Sequence, residues 1–117
     1  MRIGVPKEIF NGEKRVATTP DVAAQLIKLG FEVVIENSAG IAASFSDQSY
    51  LSVGCDIATS SRDIWEQADI IIKVRMPDID EANLMREGQT LISFLWPAQN
   101  PETLDLLTSK GVTALAM

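Results

Sequence analysis

Two cations far apart in the chain are the residues best suited to chemistry. Arg15 ends the loop after the first predicted strand, and Lys73 follows the apolar run Ile70-Ile71-Ile72. In a parallel sheet the carboxyl ends of all strands share one edge, so both cations can converge over one crevice. Arginine holds a carboxylate or phosphate through two parallel hydrogen bonds, and lysine adds a compact charge. Such a pair suits a small anionic molecule. Lys7 and Lys14 lie in the same loop as Arg15. Two plainer readings stand beside this one: solvated charges on a surface turn, and a lysine leaving a buried strand for water.

Other chemistries are closed by what is missing. The chain has no histidine and one cysteine, Cys55, so a zinc site of the usual kind and an internal disulfide are both excluded. A histidine base or a serine–histidine pair is excluded as well. Cys55 follows Gly54 at a strand entry and reads as a small buried thiol in a reducing compartment. Asp78, Asp80 and Glu81 follow Pro77, and a solvated helix start fits them better than a metal site. The first turn, Pro6 to Glu13, holds a single glycine, and no phosphate-binding fingerprint occurs anywhere. By itself the chain is not expected to hold NAD. Gln99 and Asn100 are candidates for hydrogen bonds to a nucleotide or a neighbouring domain, with helix capping the favoured role for Asn100.

The elements that must position these residues alternate between strand and helix. Strands are predicted at Arg2–Val5, Glu32–Glu36, Asp56–Ala58, Ile70–Val74, Thr90–Phe94 and Thr113–Ala116. Their unbroken apolar centres suit strands buried on both faces. A first helix is expected from Pro20 to Leu29, capped by Thr19, with Val22, Leu26 and Leu29 inward and Gly30 at its end. Ser46 caps a second through Val53. Ser60 and Asp63 have capping-box spacing ahead of a third that ends near Gln67, with Trp65 in core or interface packing. Asp80 to Met85 is a short fourth, and Asn100-Pro101 opens the last, with Leu104 and Leu107 inward. Gly40 reads as a turn former. The expected fold class is α/β, a three-layer, doubly wound, mostly parallel sheet of flavodoxin-like type.

At 117 residues the chain is one domain, 1–117. A formal net charge of -6 with no basic run argues against nucleic acid and anionic membrane surfaces. No apolar stretch is long enough to insert into a bilayer, and a secretory signal is not expected.

Ordered matches run through the whole chain: Arg2-Ile-Gly-Val-Pro-Lys-Glu, Glu13-Lys-Arg-Val-Ala, Leu29-Gly-Phe-Glu-Val, Ala39-Gly40, Ala43-Ser-Phe-Ser-Asp, Ile72-Lys-Val and Gly111-Val-Thr-Ala. With these the chain resembles the N-terminal domain shared by alanine dehydrogenase and the alpha subunit of proton-translocating NAD(P) transhydrogenase. Ser93-Phe-Leu-Trp-Pro-Ala-Gln-Asn-Pro-Glu102 is closer to the transhydrogenase branch.

The resemblance implies several things that the residues alone do not. Arg15 and Lys73 match the residues with which alanine dehydrogenases grip the substrate carboxylate and carbonyl. Trp96 stands where those enzymes place a catalytic histidine, and an indole cannot shuttle a proton near neutral pH. No catalytic residue is therefore expected here, and Trp96 and Gln99 become contacts to a nucleotide or a neighbouring domain. The implied activity is hydride transfer between NAD(H) and NADP(H), coupled to proton movement by separate membrane components. NAD(H) would lie between this domain and a nucleotide-binding domain beyond residue 117, NADP(H) being presented by another component. The implied place is the cytoplasmic face of the bacterial inner membrane, in a soluble part.

The main alternative is the substrate domain of an alanine dehydrogenase, which Trp96 disfavours. A non-enzymatic flavodoxin-like module would need a hydroxyl-rich phosphate loop after the first strand, and this loop is charged. A receiver domain would need an acidic pair there, where Pro6-Lys7 stands instead.

Overall fold

The computed structural model describes residues 1–9, 12–94 and 101–116. A single six-stranded sheet runs through the molecule in the order β3-β2-β1-β4-β5-β6. The strands are β1 Arg2–Val5, β2 Glu32–Glu36, β3 Asp56–Ala58, β4 Ile70–Arg75, β5 Thr90–Phe94 and β6 Thr113–Ala116. Every neighbouring pair is parallel. The predicted strands are all present, with β4 one residue longer than expected. This is the doubly wound order 3-2-1-4-5-6 and not the 2-1-3-4-5 order of flavodoxin, and its topological switch point falls between β1 and β4.

Helices α1 Pro20–Lys28 and α2 Asp47–Leu51 cover one face, over a core of Ile3, Val5, Ala23, Val33, Ile35 and Tyr50. Helices α3 Ser61–Gln67, α4 Ile79–Asn83 and α5 Pro101–Ser109 belong to the other, where Val34, Ile64, Trp65, Ile71, Leu91 and Leu107 cluster. Alternation along β2 sends Val33 and Ile35 to the first core and Val34 to the second, the period of a strand buried on both faces. Gly4 in β1 is required by close approach. A Cβ there would stand 2.8 Å from Ala68 Cβ and 3.0 Å from Ile64 Cγ2, so a bare Cα lets the end of α3 lie against the central strand.

The caps were partly legible. Thr19 caps α1 by accepting from Val22 N at 3.3 Å, and Ser46 caps α2 by accepting from Ser49 N at 3.3 Å. Three expectations are corrected. The inward face of α1 is formed by Pro20, Ala23, Leu26 and Ile27, whereas Val22 and Leu29 are exposed. Ser60 precedes α3 but makes no side-chain cap. The capping box belongs to α4, where Asp78 Oδ1 accepts from Glu81 N at 2.8 Å and Glu81 Oε1 accepts from Asp78 N at 3.1 Å. That helix accordingly begins at Ile79. In α5, Leu107 is buried and Leu106 packs beside it.

Gly40 lies in a turn, as expected, but not for its backbone freedom. Its φ is -95°, an ordinary value, so its smallness serves packing rather than an unusual turn. Cys55 is a free, buried thiol, and desolvation raises its pKa above the ordinary value.

Candidate functional site

The switch point between β1 and β4 is where an open α/β sheet forms its ligand crevice. Here the loop leaving β1 meets the last residues of β4, and their side chains form two linked ionic groups. The first is buried. Lys73 Nζ lies 3.1 Å from Glu8 Oε1 and 3.5 Å from Glu81 Oε2. Glu8 also accepts from the backbone amides of Val74 at 2.9 Å and Arg75 at 3.1 Å.

Lys73 does not leave the strand for solvent; its side chain is 1% exposed. Lys73 follows Ile71 in the regular alternation of β4, and a register shift between Ile72 and Arg75 accompanies the burial of Val74 beside it. A buried ammonium is tolerable only with such partners.

In the acidic stretch after Pro77, Asp78 and Asp80 are exposed at a helix start, as expected, but Glu81 departs from that reading. Glu81 is buried. Burial raises its pKa above the usual carboxylate range, while Lys73 beside it pulls the other way. Counted as ions, Lys73 with Glu8 and Glu81 would carry one excess negative charge. A proton on Glu81 would remove it.

The second group sits at the surface. Glu13 joins two guanidinium groups: Arg15 Nε at 2.6 Å and Nη2 at 3.0 Å, and Arg75 Nε at 2.9 Å. The hydrogen bonds from Arg15 are the main reason that the Glu13 carboxyl is held down at about 2. The Glu13 side chain is only 3% exposed, whereas that of Arg15 is 61% exposed.

Arg15 and Lys73 thus lie at the same rim of the sheet, but they open onto neighbouring clefts. Arg15 lines one of about 370 Å³ with Lys7, Glu8, Glu13, Ser38 and Ile41. Lys73 lines another of about 250 Å³ with Ile9, Arg75, Met76, Asp78 and Glu81. Glu8 faces the first cleft and bonds the cation of the second.

Glu8, Glu13 and Arg75 were missed as members of the site. A local signal existed for two of them: Glu8 and Glu13 lie in the same loop as Arg15. Trp96, Gln99 and Asn100 lie outside the described residues.

The amino end of α1 lacks the usual features of a pyrophosphate site. In dinucleotide-binding sheets of the same strand order, the amides opening the first helix hold the phosphates. Here Thr19 uses the Val22 amide, Pro20 has no N–H, and Asp21 adds a negative charge. Glu8 and Glu13 occupy the preceding loop. Among the described residues no cluster suited to a metal ion occurs, and no helix is long and apolar enough to cross a membrane.

Comparisons with known proteins agree with one another. Residues 4–117 match the family described as "Alanine dehydrogenase/PNT, N-terminal domain". Over its full length the chain is 55% identical to the NAD(P) transhydrogenase subunit alpha of Cereibacter sphaeroides, covering 22% of that protein. A solved L-alanine dehydrogenase superposes with a TM-score of 0.95 at 40% identity, over 99% of this chain and 32% of that one. The transhydrogenase from Sinorhizobium meliloti gives 0.92 at 31% identity, over 99% of this chain and 34% of that one. The chain spans only a minor part of each of these relatives.

Proposed function

Because the chain belongs to the alanine dehydrogenase/PNT N-terminal domain family, we propose that it is the amino-terminal part of the NAD(H)-handling component of an NAD(P) transhydrogenase, alpha subunit. In this reading it forms one wall of a cleft whose other wall is a nucleotide-binding domain following residue 117. The observation that supports the branch is the 55% identity to a transhydrogenase alpha subunit over the full length of the chain. Trp96 supports it, since an indole has no proton to exchange with a keto or amino acid near neutral pH.

Hydride transfer between NAD(H) and NADP(H) would be the chemistry of the two cofactors. This chain supplies charge and shape. Arg15 and Lys7 present cations to one cleft and Arg75 to the next, with Lys73 buried behind it between Glu8 and Glu81. An anionic group of a ligand or of a neighbouring domain would be held there by charge-assisted hydrogen bonds. β6 is parallel to the other strands, so the chain leaves it at this same rim. A following domain would therefore start beside the ionic network. Membrane and NADP(H)-binding components are the further partners, at the cytoplasmic face of a bacterial inner membrane.

Titration of NADH, read by its fluorescence, tests the division of labour. The 117-residue chain is expected to leave the signal unchanged, and a polypeptide extended by the following domain is expected to enhance it. Enhancement by the short chain would overturn the reading. The extended protein, combined with the NADP(H) component, should reduce an NADP analogue with NADH.

A second reading, the substrate domain of an alanine dehydrogenase, is favoured by the close superposition at TM-score 0.95 and by Arg15 and Lys73. Alanine-dependent reduction of NAD by the extended protein would select it.

A further inference from the structure

Glu13 is nearly sealed from water, yet it holds an arginine that is mostly in water. Its Oε1 accepts from Arg15 N at 3.2 Å and Arg15 Nε at 2.6 Å, and its Oε2 from Arg15 Nη2 at 3.0 Å and Arg75 Nε at 2.9 Å. A carboxylate with donors on both oxygens is anchored. The anchor lies across the switch point, because Arg75 closes β4 while Glu13 and Arg15 belong to the loop after β1.

A guanidinium has five N–H donors in a rigid plane. Glu13 takes the Nε–Nη2 side, which leaves both hydrogens of Nη1 and one of Nη2 for another partner. Those donors lie on a side chain that is 61% exposed and lines the cleft of about 370 Å³. Arg15 is therefore held by one edge and open at the other. An alternative is that Glu13 acts as an internal counter-ion which a ligand must displace. The donors on both of its oxygens weigh against that, since leaving would give up four hydrogen bonds at once.

We propose that Glu13 is a positioning residue: it fixes the guanidinium of Arg15 so that the free edge meets a small carboxylate anion in the cleft. The inference rests on the reading of Arg15 as an anion-binding group. Its effect is preorganisation, because a long side chain already ordered loses less freedom on binding.

Two measurements on the isotope-labelled chain test it, with sodium pyruvate as the probe anion. The first is the order of the Arg15 Nε–Hε group by NMR relaxation, without ligand. It should be rigid in the unaltered chain and mobile in Glu13→Gln. The second is pyruvate affinity, which should weaken about five- to tenfold in Glu13→Gln, the cost of ordering one long side chain. Binding should vanish in Arg15→Gln.

Glu13→Asp keeps the charge and should fall between the two, and it serves where Glu13→Gln does not fold. Equal or tighter binding in Glu13→Gln would overturn the proposal and favour the counter-ion alternative. A mobile Arg15 in the unaltered chain would overturn it too, whatever pyruvate does. Failure of the unaltered chain to bind pyruvate would count against the anion crevice itself, and side-chain order would then decide the role of Glu13.

Discussion

Lys73 and Glu8 form an ion pair at 3.1 Å in which neither side chain is more than 2% exposed. A buried pair of this kind gives little net stability over an apolar replacement, but removing one partner strands the other. Lys73→Met is expected to destabilise the chain by about 3–5 kcal/mol, because Glu8 keeps only amide donors. Glu8→Gln/Lys73→Met should recover much of that loss. Urea unfolding of both single variants and the double variant gives the coupling directly. Single variants that each cost under about 1 kcal/mol would show that the pair does not organise the switch point.

Glu13 makes stability depend on acid. Its pKa falls from 4.5 to about 2 on folding, so the unfolded chain binds the proton more readily. The stabilisation is full above the unfolded value and is lost as pH falls through the folded value. The window therefore lies between about 4.5 and 2. Over that range the unaltered chain should lose more stability than Glu13→Gln, which carries no proton to gain. Thermal melts from pH 5 to pH 2 would check this, with parallel curves as the contrary result.

Gln89 shows what local patterns leave out. It is fully buried between Gly88 and β5, and its Nε2 donates to Trp65 O at 2.6 Å and Ala68 O at 2.7 Å. Its Oε1 accepts from Arg86 N at 2.6 Å. The side chain thus closes the carboxyl end of α3 against the approach to β5. Gln89→Leu removes these bonds and leaves Ala68 O with only Arg86 Nη2 at 3.5 Å, at about 1–3 kcal/mol for each buried group left unpaired. The loss should appear as faster amide exchange at the end of α3.

The same contrast explains which features were legible. All six strands could be read because their apolar centres are local. The helix faces were harder: Val22 and Leu29 are as apolar as Leu26, but only the sheet beneath decides which spacing points inward. Lys73 looked like a strand ending in solvent because its partners, Glu8 and Glu81, are separated from it in sequence and meet it only across the fold. Ser60 and Asp63 had the spacing of a capping box, as did Asp78 and Glu81. Only the second pair forms one, where Glu81 is also held beside Lys73. Arg15 could be found from the loop, but Glu13 as its anchor required the end of β4.

Gly40 and Tyr50 make the last case, in which a small residue is required by its neighbour. The Gly40 backbone would accept any side chain at φ -95°. A Cβ there would lie 2.8 Å from Tyr50 Cε2, 2.9 Å from its Oη and 2.9 Å from Phe45 O. Tyr50 cannot easily move aside, being fully buried with its hydroxyl donating to Thr18 O at 2.7 Å. That bond ties α2 to the segment that leads into α1. Gly40→Ala is therefore expected to cost about 1–3 kcal/mol through overpacking. Combining it with Tyr50→Leu should cost less than the sum of the two changes, because the smaller side chain removes the ring that the methyl meets. Thermal unfolding of the set would show it. Strict additivity would mean that Phe45 O, rather than Tyr50, excludes a side chain at position 40.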